Sequence, residues 1–584
     1  MNRKSGLQSI SNIYHKKLEQ LRLSLSRDEA ILPLSILGLL AGVFAAITII
    51  AFRLLVEHSQ LSLLPIDVVE DFEALSPLWR FTVAVTGGLI VAIMFRLTHE
   101  NTHTVGVIHI LERLAYHQGR LPWKNAIVQF LGGAITMISG HSVGREGPSA
   151  HLGAASSNLP AQGLNLPNNS IRVLAASGAA AGIAASFNTP LAGAVFAMEV
   201  LLMEYTVATF LPIIMATVSA TALTRAVFGS HLAYSVPHIT LGALTELIYI
   251  LLCGIILGLL AGSFNKIFYL VSRQAKKLPN GAGPVIAGVI VGLCGVVVPQ
   301  VMGIGDDTVN EILKGSFGLN FLLLLLFVKI VATIASIGLG LPGGIIGPTI
   351  FVGAAAGGVL GIAGSMLGIN IESSIGLYVM IGMASMMAGS LMAPVSALIA
   401  ILELTGQPNI LLPGMLTVVA ATVTSNMLQG KESLFNVLLQ ARGLIYRNDP
   451  MTQSLRRIGV ASVMNRRVIV MPKEVSAKEV DAALIQEPVW VLVRENDIEI
   501  LLSAIDLVHA RKELPEEENY NLLNIPGGRL ETTSVDVRAT LEEAREIFRT
   551  SGREKLYVIS QTVPGIPRVY GVVSREDIEN SYRY

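Results

Sequence analysis

Residues 31–445 form one long apolar region that is punctuated by turns containing Gly and Pro. Only 14% of the chain is Asp, Glu, Lys or Arg, whereas a soluble protein has about a quarter. At about 20–25 residues per span, the region has room for well over a dozen helical segments. The chain has 55 glycines, which favours broken helices and close helix contacts. The sequence therefore predicts an all-α polytopic membrane domain.

The N-terminal segment, residues 1–30, is polar and carries six basic residues ahead of the first apolar run, Ile31 to Val56. That run is too long for the apolar core of a cleaved signal peptide. The positive charges favour a cytoplasmic N-terminus. The net charge is zero, which gives no indication of a nucleic-acid partner. Cys253 and Cys294 both lie in apolar runs, so neither a disulfide framework nor a metal site is predicted.

The apolar region repeats itself. Residues 127–155 align with 327–355 at a shift of 200, and residues 178–199 align with 382–403 at a shift of 204. The identical pairs include Gly144 with Gly344, Pro148 with Pro348, Pro190 with Pro394 and Glu199 with Glu403. Paired prolines and glutamates in the same order predict two homologous halves, about 31–235 and 240–445. Broken segments at matching places in two halves mark a site at the interface between them.

The most informative broken segment is GHSVGREGPSAHLGAASS, residues 140–157. Pro148 suits the first turn of a helix, and the glycines before it let the backbone approach a ligand closely. A helix N-terminus at membrane depth offers N–H groups to an anion without using a full positive charge. The matching turn, GIIGP at 344–348, is expected to direct a second helix N-terminus at the same anion.

The acidic residues of the two halves differ in symmetry. Glu199 and Glu403 occupy equivalent positions, which favours scaffold hydrogen bonding in both halves over a functional role. Glu146 has no acidic counterpart, because Ile346 takes its place in the second half. An unpaired intramembrane acid beside a predicted anion site indicates function. The alternative is a local ion pair with Arg145.

GREGP followed by His151, GLPGGIIGP at 340–348 and LAGAVFAMEV at 191–200 together resemble the CLC family of chloride channels and proton-coupled chloride exchangers. The resemblance spans about residues 30–445. It implies a homodimer in which each subunit has its own pore and an inverted repeat of tilted, often broken helices. It also implies an integral multi-pass protein of the bacterial inner membrane.

The resemblance gives roles to individual residues. Glu146 is implied to be the gating glutamate, whose carboxylate competes with the anion for the outer part of the pathway and moves away when protonated. Backbone N–H groups of Arg145, Glu146 and Gly147 are implied to line an outer anion site, and those of Ile345 and Ile346 a central one.

The chain departs from the family pattern at its pore side chains. Val105, in THTVGVIHIL, aligns with a pore serine, Ile346 replaces a phenylalanine, and Phe435 replaces a pore tyrosine. Two hydroxyl groups are therefore missing, and backbone amides are expected to carry most of the coordination. Chloride is the expected anion, with nitrate, bromide and fluoride left open.

The inner proton-relay glutamate of the exchangers falls at Val200. An apolar residue there is more typical of channels. Glu204 could substitute because residues i and i+4 share a helix face, although a helix-end position near the membrane surface is favoured. We therefore expect channel-like or weakly proton-coupled anion transport, with a proton-coupled antiporter as the alternative.

Two other polar features of the apolar region have structural alternatives to a functional role. Isolated histidines such as His103, His109 and His141 are expected to be structural. Lys329 lies opposite Gln129 of the first half, where it could raise the local potential for anions. Snorkelling to the surface or a scaffold salt bridge explains Lys329 equally well.

After Ile445 the chain becomes polar, with a linker at 446–459 and a small α/β region at 460–584. Ser476–Glu479 and Thr540–Glu543 have capping-box spacing, and each box is followed by a strand-like run, at 489–493 and 556–559. A shift of 71 sets LLSAIDLV (501–508) over GVVSREDI (571–578), which resembles a cytoplasmic tandem CBS pair, 460–515 and 528–584. In such modules the residues that can contact adenine nucleotides match Ser503, Asp506, Ser574 and Asp577. Helix capping is the alternative role for the same residues.

Two other classes of protein were considered. A cation-coupled solute carrier also uses inverted repeats, but it would present carbonyls and acids to its cation, whereas these turns offer N–H groups. A membrane enzyme is not indicated, because the membrane region shows no metal cluster, Ser-His-Asp signature or phosphate loop. This interpretation requires no cofactor, and adenine nucleotide at the CBS pair is a candidate ligand only.

Overall fold

The computed structural model of the protein describes residues 16–27, 30–236, 245–367, 374–430, 433–444, 449–495, 498–513, 519–560 and 568–581. The predicted start of the second half at 240 and of the linker at 446 lie outside these residues. The chain forms two compact units. The membrane unit comprises Ser35–Ala161 and Arg172–Arg447, and the tail unit comprises Met1–Leu34, Gln162–Ile171 and Asn448–Tyr584.

A helix at 16–25, α1, precedes the first half. The helices of that half are α2 (Ile31–Leu63), α3 (Pro77–Leu97), α4 (Gly106–Tyr116), α5 (Trp123–Ile138), α6 (Glu146–Gly163), α7 (Asn168–Phe187), α8 (Pro190–Phe196) and α9 (Val207–Phe228). A π-helical segment, Ala197–Leu202, continues α8. A 3₁₀ turn, Glu100–Thr102, precedes α4.

The second half repeats this order. Its helices are α10 (Glu246–Ala275), α11 (Ala282–Val297), α12 (Asp306–Leu313), α13 (Leu319–Gly338), α14 (Ile346–Met366), α15 (Ile375–Leu391), α16 (Pro394–Thr405) and α17 (Leu411–Gln429). The 3₁₀ turns Pro299–Val301 and Pro408–Ile410 and the short helix α18 (Leu434–Ala441) complete it. Each helix α2 to α9 thus has a counterpart eight helices later, which confirms the predicted repeat.

Within the described residues, eight segments are long and apolar enough to span a membrane: α2, α3, α7, α9, α10, α13, α14 and the segment that contains α17. Lys329 and Glu146 are buried among them, while Leu32, Leu97 and Phe327 are among the exposed apolar side chains. Exposed leucines and phenylalanines on long apolar helices are suited to lipid rather than water. The chain is a multi-pass membrane protein.

The tail unit contains two β-α-β-β-α repeats. In the first, β1 (Val468–Met471) is parallel to β3 (Trp490–Glu495), which pairs antiparallel with β4 (Ile498–Ser503), and β6 (Leu530–Glu531) extends the sheet. In the second, β7 (Thr533–Asp536) is parallel to β8 (Lys555–Ser560), which pairs antiparallel with β9 (Arg568–Ser574). A separate ladder joins β2 (Glu474–Ser476) to β5 (Asn519–Asn521).

The helices of the tail unit are α19 (Pro450–Arg457), α20 (Val460–Val463), α21 (Ala477–Leu484), α22 (Ala504–Glu513), α23 (Leu541–Ser551) and α24 (Arg575–Asn580). Ser476 and Thr540 cap α21 and α23 through complete capping boxes with Glu479 and Glu543. Both predicted boxes and both predicted strands are thus confirmed. The same topology in both repeats agrees with the shift of 71 found in the sequence.

Candidate functional site

The two halves are joined at the broken turns. The N–H of Gly144 donates to the carbonyl of Gly344, and the N–H of Gly344 donates to the carbonyl of Gly144, each at 2.8 Å. A Cβ on either glycine would collide with the carboxyl group of Glu146. Only glycine therefore allows this approach. The expected convergence of the turns before Pro148 and Pro348 is confirmed.

The side chain of Glu146 lies inside this junction. Glu146 is the first residue of α6 and is 1% exposed. Its Oε1 accepts a hydrogen bond from the backbone N–H of Ile346, the first residue of α14. Its Oε2 has no hydrogen-bond partner within the described residues. A carboxylate from the first half therefore occupies the helix N-terminus of the second half, where unpaired N–H groups and the helix dipole favour an anion.

Arg145 forms an ion pair with Asp306 and not with Glu146, the partner that the sequence suggested as an alternative. Its Nη2 lies 3.3 Å from Oδ2 of Asp306, and its guanidinium stacks 5.0 Å from the ring centre of Phe187. The hydroxyl of Tyr234 donates to Oδ1 of Asp306 at 2.9 Å. The ion pair of Arg145 is thus made with Asp306 and not with the neighbouring Glu146. The sequence analysis does not single out Asp306. A signal was present, because Asp306 begins α12 and the repeat sets it over Gly106, which begins α4.

Arg145 and Asp306 also line a cavity of about 380 Å³, named here the Glu70 cavity. The charged residues that line it are Arg53, Glu57, Glu70, Asp71, Arg145, Asp306 and Asp307. Glu70 lies in the segment between α2 and α3. Burial, reinforced by Asp306 and Asp307, raises the pKa of Glu70 to about 7, although Arg145 and Lys329 oppose the shift. The cavity therefore holds a carboxyl group that changes charge near neutral pH.

Val105 and Phe435 bring apolar groups where the resemblance implied hydroxyls. Val105 is the N-cap residue of α4 and makes no side-chain capping bond within the described residues. Phe435 is buried in α18, and its ring meets that of Phe196 edge to face at 6.3 Å between centroids. Ile345 is the N-cap of α14 and has an apolar side chain, and Gly147 packs against Gly344. Both residues can therefore offer an anion only their backbone N–H groups.

Lys329 is fully buried in α13 and donates to the carbonyls of Val301, Gly303 and Ile304 at 3.0–3.2 Å. Its Nζ also lies 4.4 Å from the ring centre of Phe351. No carboxylate lies within ion-pair distance of it among the described residues. The complete burial of Lys329 excludes snorkelling, and the polar contacts of its ammonium in the described residues are hydrogen bonds to carbonyls. The ammonium is held beside the segment that leads to Asp306.

The histidines make local contacts. His103 bonds to Thr98 and stacks on Phe95, and His141 bonds to Ser139. Nδ1 of His109 lies 2.7 Å from Nε2 of His151, and both rings are buried. The structural role expected for His103 and His141 is consistent with these contacts.

A family model described as voltage gated chloride channel matches residues 87–426. The chain belongs to this family. A protein of Ralstonia nicotianae described as a ClcB-like chloride channel protein is 31% identical over 404 residues, which cover 67% of this chain and 93% of that protein.

Two solved structures share the fold. A slow cyanobacterial Cl⁻/H⁺ antiporter superposes with a TM-score of 0.62 at 22% identity and covers 70% of this chain and 97% of its own. A eukaryotic CLC transporter superposes with a TM-score of 0.60 at 19% identity and covers 93% of this chain and 97% of its own. The CLC resemblance seen in the sequence is thus confirmed.

The proton-relay position of this CLC protein is apolar. Val200 lies in the π-helical segment after α8 and is buried. Met203 adopts a left-handed conformation with φ of 54°, and the helix ends at Leu202. Glu204 therefore does not share a helix face with Val200. The argument from i and i+4 spacing was wrong, because the residue before Glu204 has left the helix.

The nucleotide candidates of the tail unit all make hydrogen bonds within the protein. Oγ of Ser574 accepts from the N–H of Asp577, and Asp577 in turn accepts from the N–H and hydroxyl of Ser574. In the first repeat, Ser503 accepts from the N–H of Ile505, and Asp506 accepts from the N–H of Gly528. The bonds of Ser574 and Asp577 form a complete capping box, whereas Asp506 holds the backbone of Gly528 and caps no helix end.

Proposed function

We propose that the protein moves chloride or a similar small anion across the membrane through a separate pathway in each subunit of a homodimer, with Glu146 as the gate. The observation that carries the proposal is the bond from the N–H of Ile346 to the Glu146 carboxylate. A carboxylate is itself an anion, so the donors that hold it suit a permeating halide as well. The site is closed while the carboxylate occupies it.

The gate works by competition. When Glu146 is protonated or swings away, the N–H groups at the start of α14 lose their anionic partner and can bind an anion instead. Backbone N–H groups of Arg145, Gly147 and Ile345 are the further donors of this proposal. Val105 and Phe435 shape the pathway with apolar surface. Because the carboxylate reaches Ile346, assigned by resemblance to the central site, its release would open more than the outer part of the pathway.

Uncoupled or weakly coupled conduction is the form of transport that we favour. Val200 cannot exchange a proton, and Glu204 follows the end of the helix. Proton-coupled exchange is the second candidate, because a solved structure with this fold is described as a Cl⁻/H⁺ antiporter. A cation-coupled carrier is disfavoured, because the paired turns direct N–H groups, not carbonyls, at Glu146.

The proposal extends to location and regulation. We place the protein in a bacterial inner membrane, with the N-terminus and the tail unit on the cytoplasmic side. We also propose that the two-repeat tail unit binds an adenine nucleotide, with contacts from Ser503, Asp506, Ser574 and Asp577. Binding there would require the hydrogen bonds that these residues make within the protein to be shared with, or exchanged for, contacts to the ligand.

The test is anion flux with simultaneous pH recording from vesicles containing the purified protein. Wild-type protein is expected to release chloride without stoichiometric uphill proton movement. Glu146→Gln is expected to retain flux with altered pH dependence, because the neutral amide no longer competes as an anion. Absence of chloride flux from wild-type vesicles would refute the proposed transport of chloride. Stoichiometric uphill proton movement would show that the protein is an exchanger and would overturn the proposal of uncoupled conduction.

A further inference from the structure

Among the residues that the structure describes, one buried glutamine of α5 has no hydrogen-bond partner. Gln129 is 0% exposed, and neither its Oε1 nor its Nε2 is bonded within the described residues. Leaving a buried polar group unbonded costs about 1–3 kcal/mol. Such a group in a native structure calls for an explanation, such as an ion or a water that completes its bonding.

Gln129 lies beside the start of α4. A Cβ built on Gly106, the first residue of α4, would be 3.8 Å from Oε1 of Gln129 and 4.0 Å from the carbonyl oxygen of Gly343. Gly343 immediately precedes Gly344, which bonds to Gly144 at the junction. The unbonded amide is therefore next to the cluster of turns that surrounds Glu146.

The segment before α4 is held by a second residue of the same face of α5. Asn125, one turn before Gln129, donates from Nδ2 to the carbonyls of Thr104 and Asn101 at 3.0 and 3.1 Å. Asn125 thus positions the residues that lead into Val105, and its amide hydrogens are used. Gln129, at i+4 on that face, reaches the helix start itself.

Within the described residues, the N-terminus of α4 has no side-chain cap where Gln129 approaches it. The side chain of Val105, its N-cap, has no atom that could accept a hydrogen bond from the first turn or donate one to an anion. An eleven-residue helix presents N–H groups and positive potential at this end. The helix N-terminus and the unbonded amide together form a set of donors that have no side-chain partner among the described residues.

The second half gives a contrast. Lys329 is the repeat equivalent of Gln129, and its ammonium donates to three carbonyls. The polar side chain of the second half is therefore used within the protein. That of the first half is left with two N–H groups to offer. A rotation of the amide about its last bond places Nε2 where Oε1 lies, beside Gly106.

We propose that Gln129 is a specificity-determining ligand of the permeating anion, which it binds through Nε2–H at the start of α4, in place of the hydroxyl that Val105 does not supply. This inference rests on the proposed transport of anions. It names a side-chain donor in a pathway that otherwise consists of backbone N–H groups and apolar side chains.

The test compares two buried glutamines in the full-length protein. Gln129→Met keeps the length of the side chain and removes the amide. It is expected to weaken chloride binding about tenfold in calorimetric titration, the effect of one lost hydrogen bond to an anion. The thermal unfolding temperature is expected to be unchanged or higher, because an unbonded polar group is removed.

Gln60→Met is the matched control. Gln60 is equally buried, but both ends of its amide are bonded. Its Nε2 donates to the carbonyl of Met137 and its Oε1 accepts from the backbone N–H of Glu70, both at 3.1 Å. This variant is expected to unfold at a lower temperature and to bind chloride as the wild type does. Gln129→Lys, which restores donors, is expected to bind chloride at least as tightly as the wild type, and it can be measured if Gln129→Met does not fold.

The outcomes separate the two proposals. Chloride affinity within twofold of wild type in both Gln129 variants would overturn the role of Gln129 and leave a bound water as its partner. Wild-type protein that neither binds nor releases chloride would instead remove the proposed function. A tenfold loss in Gln129→Met with normal binding in Gln60→Met supports the inference.

Discussion

Ser396 donates two hydrogen bonds to Glu199, from its backbone N–H at 2.7 Å and from its hydroxyl at 2.5 Å. In the other direction, Glu403 accepts from the N–H groups of Leu191 and Ala192 at 3.1 and 2.7 Å. Each half therefore supplies a carboxylate that caps a helix of the other half, α16 and α8 respectively. The scaffold role expected from the symmetry of the two glutamates is consistent with this exchange.

Glu199→Gln and Glu403→Gln should each lower the free energy of unfolding by about 2 kcal/mol, because charge-assisted capping bonds become neutral ones. Chloride flux per folded molecule should not change. Unfolding of purified protein in detergent and vesicle flux measure the two quantities. A Glu199→Gln variant of normal stability that has lost its flux would place Glu199 in the pathway instead.

Gly344→Ala should uncouple flux from Glu146. The added Cβ has no room beside the Glu146 carboxyl group and the N–H of Gly147, so the carboxylate must leave its place on α14. Flux of Gly344→Ala should therefore change, and adding Glu146→Gln should have little further effect. Gly318→Ala is the control, since nothing lies within 4 Å of its Cβ position. Additive effects of Gly344→Ala and Glu146→Gln would contradict displacement of the carboxylate.

Lys329→Met should weaken chloride binding. A unit charge about 10 Å or more from an anion contributes on the order of 1 kcal/mol at the effective dielectric of a protein, which is about fivefold in affinity. Lys329→Arg keeps the charge and should bind chloride nearly as well. If both variants lose affinity equally, Lys329 acts by holding the carbonyls of Val301, Gly303 and Ile304 rather than through its charge.

The sequence allowed the membrane class, the repeat and the two converging turns to be predicted, because paired glycines and prolines keep their spacing. It did not allow the pairing of Arg145 with Asp306, which are 161 residues apart and joined only by the fold. The lack of a hydrogen-bond partner for Gln129 is likewise a property of packing. The sequence of an apolar helix does not show whether a glutamine in it will find a partner. For Glu204, the favoured helix-end position is consistent with the end of the helix at Leu202, and only the i, i+4 argument fails, because the left-handed conformation of Met203 has no mark in the sequence.

Glu70→Gln should remove a pH dependence between about 4.5 and 7. The folded protein raises the pKa of Glu70 from 4.5 to about 7, so it binds this proton more tightly than the unfolded chain does. The group therefore stabilises the fold most below pH 4.5, and this contribution is lost as the pH rises to 7. The slope of stability against pH in this range should flatten in the variant.

The same ionisation should affect chloride. Above pH 7 Glu70 adds a negative charge beside Arg145, the residue before the gate, which should weaken chloride binding at the junction. Measurement in a Glu146→Gln background excludes titration of the gate. There, Glu70→Gln should bind chloride more tightly than Glu70 at pH 8 and equally at pH 5. Equal binding at both pH values would show that the Glu70 charge does not reach the anion.

Glu543 joins two segments of the tail unit that are far apart in sequence. Its carboxylate accepts from the N–H and hydroxyl of Thr540 at 2.7 and 3.1 Å, and from Nδ2 of Asn168 at 3.0 and 3.1 Å. Asn169 donates to the carbonyls of Leu25 and Arg457 in the same unit. The segment Gln162–Ile171, which runs from the end of α6 into the first turn of α7, is thereby part of the tail unit.

Glu543→Ala should therefore cost more than the loss of a capping box alone. Glu479→Ala is the matched control. The Glu479 carboxylate accepts from the N–H and the hydroxyl of Ser476, both at 2.8 Å, which is the same capping box without a bond to Asn168. Glu479→Ala should lower stability by about 1 kcal/mol, and Glu543→Ala by about 1 kcal/mol more, the worth of one further charged hydrogen bond. Hydrogen exchange should rise in residues 162–171 only in Glu543→Ala. Equal exchange in both variants would mean that Asn168 does not hold this segment to α23.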